Sequence, residues 1–185
     1  MRRFPAAALI AAAAIFIADQ LVKYWVTGVL DLDYLSATRE VNGVFRFTFV
    51  ANCGVSLGLL GAHSDTPWVR VGVTLVTSAI ALAVLVWLWR ERNRVDRLAL
   101  GFIFGAALGN IADRLIPEGV LGKVTSGAVT YPGCVIDWAD FHIGDWRPFY
   151  VFNLADVAIT VGVLVLLARA LLGGGRKAPM ENGDA

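Results

Sequence analysis

The chemistry-bearing residues of this 185-residue chain fall into a few short groups. Asp19 and Lys23 stand at i, i+4; Asn110 and Asp113 at i, i+3, with Arg114 beside them; Asn153 and Asp156 again at i, i+3. On helices each of these pairs shares a face. Further carboxylates lie in CVIDWADFHIGDW, which holds Asp137, Asp140 and Asp145. Two carboxylates gathered in one site are the apparatus of acid/base chemistry. Like charges at close range cannot both ionise readily, so one keeps a proton while the other serves as a base.

Other chemistries find less support. Cys53 and Cys134 are too few for a disulfide framework, and neither CxxC nor a Cys/His cluster with zinc spacing occurs, so no metal and no cofactor is expected. A single Cys53–Cys134 bridge across the outer segments stays open. Cys53 as a nucleophile would need a base from His63 or His142, the two histidines of the chain, and no second-site signature supports it.

The elements that must position these residues are membrane spans. With 57% hydrophobic and 17% charged residues and a mean hydropathy of +0.65, the chain reads as an integral membrane protein of one domain, residues 1–172, followed by a disordered tail, 173–185. A net charge of +1 is too small to suggest a nucleic-acid partner, none is expected, and nothing predicts an oligomer. Hydrophobic stretches predict four transmembrane helices at about 4–30, 69–89, 98–116 and 148–171. The N-terminus mimics a secretory signal, yet apolar character resumes at Leu21 and runs to Leu30, which favours a retained first span. Basic residues lie before span one (Arg2, Arg3), between spans two and three (Arg90, Arg92, Arg94, Arg97) and after span four (Arg169, Arg176, Lys177), which predicts cytoplasmic termini.

Residues 31–67 and 117–147 are then extracytoplasmic. In GVFRFTFV, Phe45, Phe47 and Phe49 alternate with Arg46 and Thr48, the period of a strand with one apolar face, so a small sheet on the membrane surface is expected. Trp25, Trp68, Trp138 and Trp146 are expected near the outer boundary.

This topology puts every ionisable group at membrane depth into one half of the bilayer. Leu98 to Ala112 supplies 15 uncharged residues, about 22 Å of helix against about 30 Å of hydrocarbon, so Asp113 and Arg114 lie within the slab or at its rim. Asp156, seven residues past Phe149, is expected about 10 Å into the fourth helix. Asp19 and Lys23 can neutralise one another, Asp113 and Arg114 each need a partner elsewhere, and Asp156 has no basic neighbour within a turn. A carboxylate without a counter-ion in low dielectric is a candidate proton donor or acceptor near neutral pH. Its partner is read as Asp137, which follows Val135 and Ile136 and precedes Trp138. Asp140 and Asp145, among His142, Gly144 and Arg147, read as solvated loop residues.

Five motifs in order, DQLVK (19–23), NCGVSLGLL (52–60), GNIADRL (109–115), VIDWADF (135–141) and FNLADVAI (152–159), resemble the bacterial signal peptidase II family of membrane aspartic proteases. The resemblance covers most of the chain. It implies a four-helix membrane enzyme of the bacterial cytoplasmic membrane, with its site near the outer leaflet. Such an enzyme cleaves prolipoproteins on the N-terminal side of a cysteine that already carries diacylglycerol, with membrane lipid around it. By motif the catalytic pair is Asp137 and Asp156, supported by Asn52, Gly54, Asn110, Asp113, Arg114 and Asn153, with Asp19 and Lys23 as the first-helix motif.

Two departures stand out: Ser56 and Leu57 replace the family's usual alanine and phenylalanine. The 24 residues from Asp113 to Asp137 also exceed the family's usual connection, so PEGVLGKVTSGAVTYPG reads as a partial insertion. With the sheet, the 117–134 loop is expected to act as a lid. The alternative function is a small proton-coupled transporter relaying through Asp156 and Asp113. Presenilin-like proteolysis is disfavoured, since GxGD is absent.

Overall fold

The computed structural model describes residues 4–54, 67–116 and 133–173. Expectations for Arg2, Arg3, Ser56, Leu57, His63, the 117–132 part of the lid loop and the tail from 174 onward lie outside the described residues.

Four described helices are long and apolar enough to cross a membrane. Helix α1, Ala6–Tyr24, continues into a π-helical turn, Trp25–Val29. Helix α2 is Pro67–Arg90, α3 is Arg94–Leu115 and α4 is Leu154–Gly173. Helix α3 begins four residues earlier than its hydropathy predicts, because Asn93 caps it: Oδ1 accepts from the Val95 N–H at 2.9 Å and from the Asp96 N–H at 3.3 Å. The fourth helix, by contrast, begins six residues later than predicted.

Helix α3 packs against the other three, and its buried residues are mostly small: Ala99, Gly101, Gly105, Ala106 and Gly109 among them. A Cβ on Gly101 would run into the Ala8 carbonyl oxygen, and one on Gly105 into that of Ala12. Three glycines at four-residue spacing thus let α1 and α3 approach backbone to backbone, the close packing that membrane helices favour. The glycine ladder is readable in the sequence but is not a chemistry-bearing signal. Helix α2 lies at the periphery and exposes Val71, Leu75, Val76, Ile80 and Leu82, as expected of a lipid-facing helix that is apolar on all sides.

The expected sheet is present and has three antiparallel strands in the order β1 (Thr38–Asn42), β2 (Phe45–Asn52), β3 (Val135–Phe141). In the β1–β2 turn, Asn42 Oδ1 accepts from the N–H groups of Val44 and Phe45 at 3.0 and 2.9 Å. Phe45 and Phe47 share a face and make ring contacts with Phe141, Trp25 and Trp138. Phe49 joins Val26, Leu32, Ala37 and Ile136 in a core between the sheet and the end of α1.

The third strand was not anticipated. It overturns the reading of Asp140 as a solvated loop residue, because strand pairing buries that side chain completely, whereas Asp145 is in an exposed turn.

Candidate active site

Asp137 lies in the middle of β3, paired with Val50 of β2. Immediately beyond it the chain folds back: the Trp138 and Ala139 N–H groups donate to the Phe152 carbonyl at 3.0 and 2.8 Å, and the Phe152 N–H donates to the Ala139 carbonyl at 3.1 Å. That bridge holds residues 148–153 out of the helix, which is why α4 starts at Leu154. Asp156 consequently sits in the first turn of α4, not about 10 Å along it.

The turn is closed by a reciprocal cap. Asn153 Oδ1 accepts from the Asp156 N–H at 3.0 Å, and Asp156 Oδ2 accepts from the Asn153 N–H at 3.2 Å. The position suits a carboxylate, since the helix N-terminus carries partial positive charge. Asn153 also donates through Nδ2 to Asp137 Oδ1 at 2.6 Å, so one asparagine holds both carboxylates.

Asn52 Nδ2 donates to the second oxygen of Asp137 at 3.0 Å. Burial pushes the Asp137 carboxyl up, and the charge of Asp156 adds to this; the Asn52 and Asn153 donors and Lys23 oppose it, leaving the group at about 7. Asp137 and Asp156 are therefore electrostatically coupled at the edge of the bundle.

Beneath the pair lies a buried cluster. Lys23 Nζ bridges Asp19 Oδ2 at 2.6 Å and Asp113 Oδ2 at 2.7 Å, and both acids are almost fully shielded from solvent. Gln20, not among the predicted site residues, donates to Asp113 Oδ1 at 2.9 Å and to Asp19 Oδ2 at 3.2 Å. Its signal was available: it is the polar residue beside Asp19 in an apolar helix.

Each acid reaches one more donor. Asp113 Oδ2 accepts from the Ile136 N–H and Asp19 Oδ1 from the Ala155 N–H, both at 3.2 Å. These are the residues immediately before Asp137 and Asp156.

Asn110 Oδ1 accepts from Asn153 Nδ2 at 3.3 Å and from Lys23 Nζ at 3.4 Å, joining the cluster to the pair. Arg114 donates to the Asn110 carbonyl at 3.3 Å and lies within electrostatic reach of Asp113, Asp137 and Asp156. Its buried Nε has no partner among the described residues. Every predicted site residue except Gly54 therefore joins one network; Gly54 is buried two positions beyond Asn52, with no described contact to the pair.

Asp140 belongs to a separate arrangement on the other face of β3. Its Oδ2 accepts from Arg46 Nε at 2.8 Å and from Thr48 Oγ1 at 2.9 Å, with Arg147 at 3.8 Å. Burial works to push this carboxyl up, but those donors and charges outweigh it and hold the group below the usual carboxylate range. Cys53 and Cys134 are disulfide-bonded, which closes the question the sequence left open and removes Cys53 as a nucleophile.

Comparison with known proteins places this geometry in context. Residues 11–172 match the family model described as signal peptidase (SPase) II. The chain is 43% identical over 175 residues to a lipoprotein signal peptidase of Rhizorhabdus wittichii, covering 94% of this chain and 91% of that one. It is also 43% identical over 166 residues to a lipoprotein signal peptidase of Sphingopyxis alaskensis, covering 90% and 86%. Its fold is similar to that of a bacterial membrane enzyme solved by the in meso method at 2.3 Å resolution, with a TM-score of 0.73 over 98% of both chains at 23% identity.

Proposed function

The chain belongs to the signal peptidase II family, and on that premise we propose that it is an aspartyl endopeptidase removing signal peptides from diacylglyceryl-modified prolipoproteins. The observation that carries this reading is the grip of Asn153 on both Asp137 and Asp156, which makes two carboxylates one coupled unit.

The pair shares one proton near neutral pH, and its titration belongs to both residues together. The ionised carboxylate takes a proton from a water molecule as the water oxygen attacks the scissile carbonyl carbon. The protonated carboxyl donates its hydrogen bond to the carbonyl oxygen. As the C–N bond breaks, a proton passes to the leaving amine, which is the α-amine of the lipidated cysteine. A new C–O bond completes the carboxyl end of the signal peptide, and no covalent enzyme intermediate forms. Arg114 supports the site with positive charge near both acids.

The localisation follows from the same premise: the cytoplasmic membrane of a bacterium, both termini cytoplasmic, the site near the outer leaflet. The acyl chains of the substrate stay in the bilayer and present the adjacent peptide bond at the depth of the pair. Residues 1–172 act as a single domain in this reading. The stretches Ala6–Ala18, Val71–Trp89, Leu98–Gly109 and Val157–Ala168 contain no ionisable side chain, so no proton relay crosses the bundle and a transporter is disfavoured.

The test is to replace Asp137 and Asp156 separately by Asn and assay cleavage of a diacylglyceryl-modified prolipoprotein in detergent. Exposed Asp145→Asn is the control, since the burial of Asp140 makes that residue unsuitable. A loss of at least roughly 10³-fold is expected in each of the first two, with the control unchanged. Retained cleavage in either one would remove the dyad.

A further inference from the structure

The β2–β3 ladder ends at the register pair Asn52 and Val135. One residue further out on each strand stand Cys53 and Cys134, joined by a disulfide across 81 residues of sequence. The ladder is irregular on its other side, where its register shifts between Phe47 and Val50. Between the bulge and the disulfide, Asn52 Nδ2 meets Asp137 Oδ2 at 3.0 Å.

Asp137 itself is secured by other means. The Ile136 N–H is fastened to Asp113, and Ala139 is bridged to Phe152. Asn52 is the partner of Asp137 whose strand end has the disulfide as its outer fastening.

We propose that the Cys53–Cys134 disulfide is a positioning device that holds Asn52 against Asp137, so that full activity belongs to the oxidised chain and is lowered by reduction. The inference rests on the peptidase reading of this site. In the redox step, a dithiol reductant attacks one sulfur through a mixed disulfide, and its second thiol resolves that intermediate. Two electrons and two protons pass to Cys53 and Cys134, which become thiols, while the reductant leaves as a disulfide. A protein disulfide oxidant reverses the exchange. Since thiols stay reduced in the compartment of synthesis, proteolysis starts in full only once the outer segments meet an oxidant.

The groups facing Asp137 are Asn52 from β2, Asn153 just before α4, Asp156 from the first turn of α4, Lys23 from α1 and Arg114 from α3. Reduction loosens Asn52 among them. Its hydrogen bond favours the ionised form of Asp137, so losing it moves the alkaline limb of the pH–rate profile upward. The burden falls on alignment of the pair, and thus on kcat more than on KM.

The experiment compares oxidised protein, protein reduced by excess dithiol and the Cys53→Ser/Cys134→Ser double variant. Each is assayed as the full chain in detergent on a diacylglyceryl-modified prolipoprotein across pH. Reduction and the double variant should each lower kcat about tenfold, the weight of one hydrogen bond to a charged group, with KM within about twofold. The alkaline limb should rise, and reoxidation should restore the wild type. In Asn52→Ala, kcat should already be low and insensitive to reduction. Equal kcat and pH profile before and after reduction, or an equal fall on reducing Asn52→Ala, would overturn the proposal. If oxidised wild type fails to cleave at all, the peptidase reading falls, and the inference is then judged on the infrared titration of the Asp137 carboxyl, isolated by subtracting the Asp137→Asn spectrum. An upward move on reduction sustains the positioning role; an unmoved titration sinks it.

Discussion

At the scale of single residues, enclosure in the sheet raises the Asp137 carboxyl well above the usual carboxylate range. Asp137 stands at about 7 in the folded chain against an ordinary value of 3.8, so the native state binds more protons than the unfolded state between those limits. The contribution of Asp137 to stability should therefore be fully present below about pH 4, fall as pH rises, by at most about 1.4 kcal/mol per unit, and level off above about 7. Asp140 has the opposite sign and a lower window, since its depressed carboxyl costs stability only as pH drops below 3.8. Thermal midpoints in detergent from pH 4.5 to 7.5 should decline for the wild type and stay flat for Asp137→Asn; parallel curves would contradict the assigned burial. Activity should decline above about pH 7 as the pair loses its last proton. Both members of the pair were conspicuous in the sequence as carboxylates beside apolar runs, and the structure joins them through Asn153. The fate of Asp140 was not, since its partner Arg46 lies 94 positions away and only strand pairing brings the two together.

At the scale of elements, a start signal misled the reading of α4. Pro148, Phe149, Tyr150 and Val151 extend the apolar run, so hydropathy alone merges them with the helix, but the Ala139–Phe152 bridge takes that backbone into the sheet. The i, i+3 spacing of Asn153 and Asp156 is visible in the sequence, but it marks a helix terminus and not a shared helix face. The α1–α3 contact depends on absent side chains. Gly105→Ala would set a methyl group against the Ala12 backbone, which has no rotamer to yield, and should destabilise the bundle by roughly 1–3 kcal/mol. Gly72→Ala, which meets nothing within 4 Å, is the matched control. The check is the loss of helicity on heating in detergent; a Gly105→Ala midpoint equal to the control's would show that the helices can part at no cost.

At the scale of the molecule, the buried Asp19–Lys23–Asp113 cluster is a frame with two arms. Through Asp113 it holds the backbone just before Asp137, and through Asp19 the backbone just before Asp156. Lys23→Met would leave two enclosed carboxylates without their cation and should cost about 3–5 kcal/mol, read as a large drop in thermal midpoint. Sequence spacing revealed the Asp19–Lys23 half of this frame, while the bond to Asp113 depends on a helix 90 residues further on. The fold-back at Phe152 carries a further meaning. Both carboxylates lie on one stretch of chain, 137–156, pinned at its neck by three backbone hydrogen bonds and at its base by the frame. That stretch forms a cassette, its two acids fixed relative to one another by fastenings that lie among the described residues. The spacing of the two acids is thereby a property of one short stretch of chain, set where that stretch closes on itself.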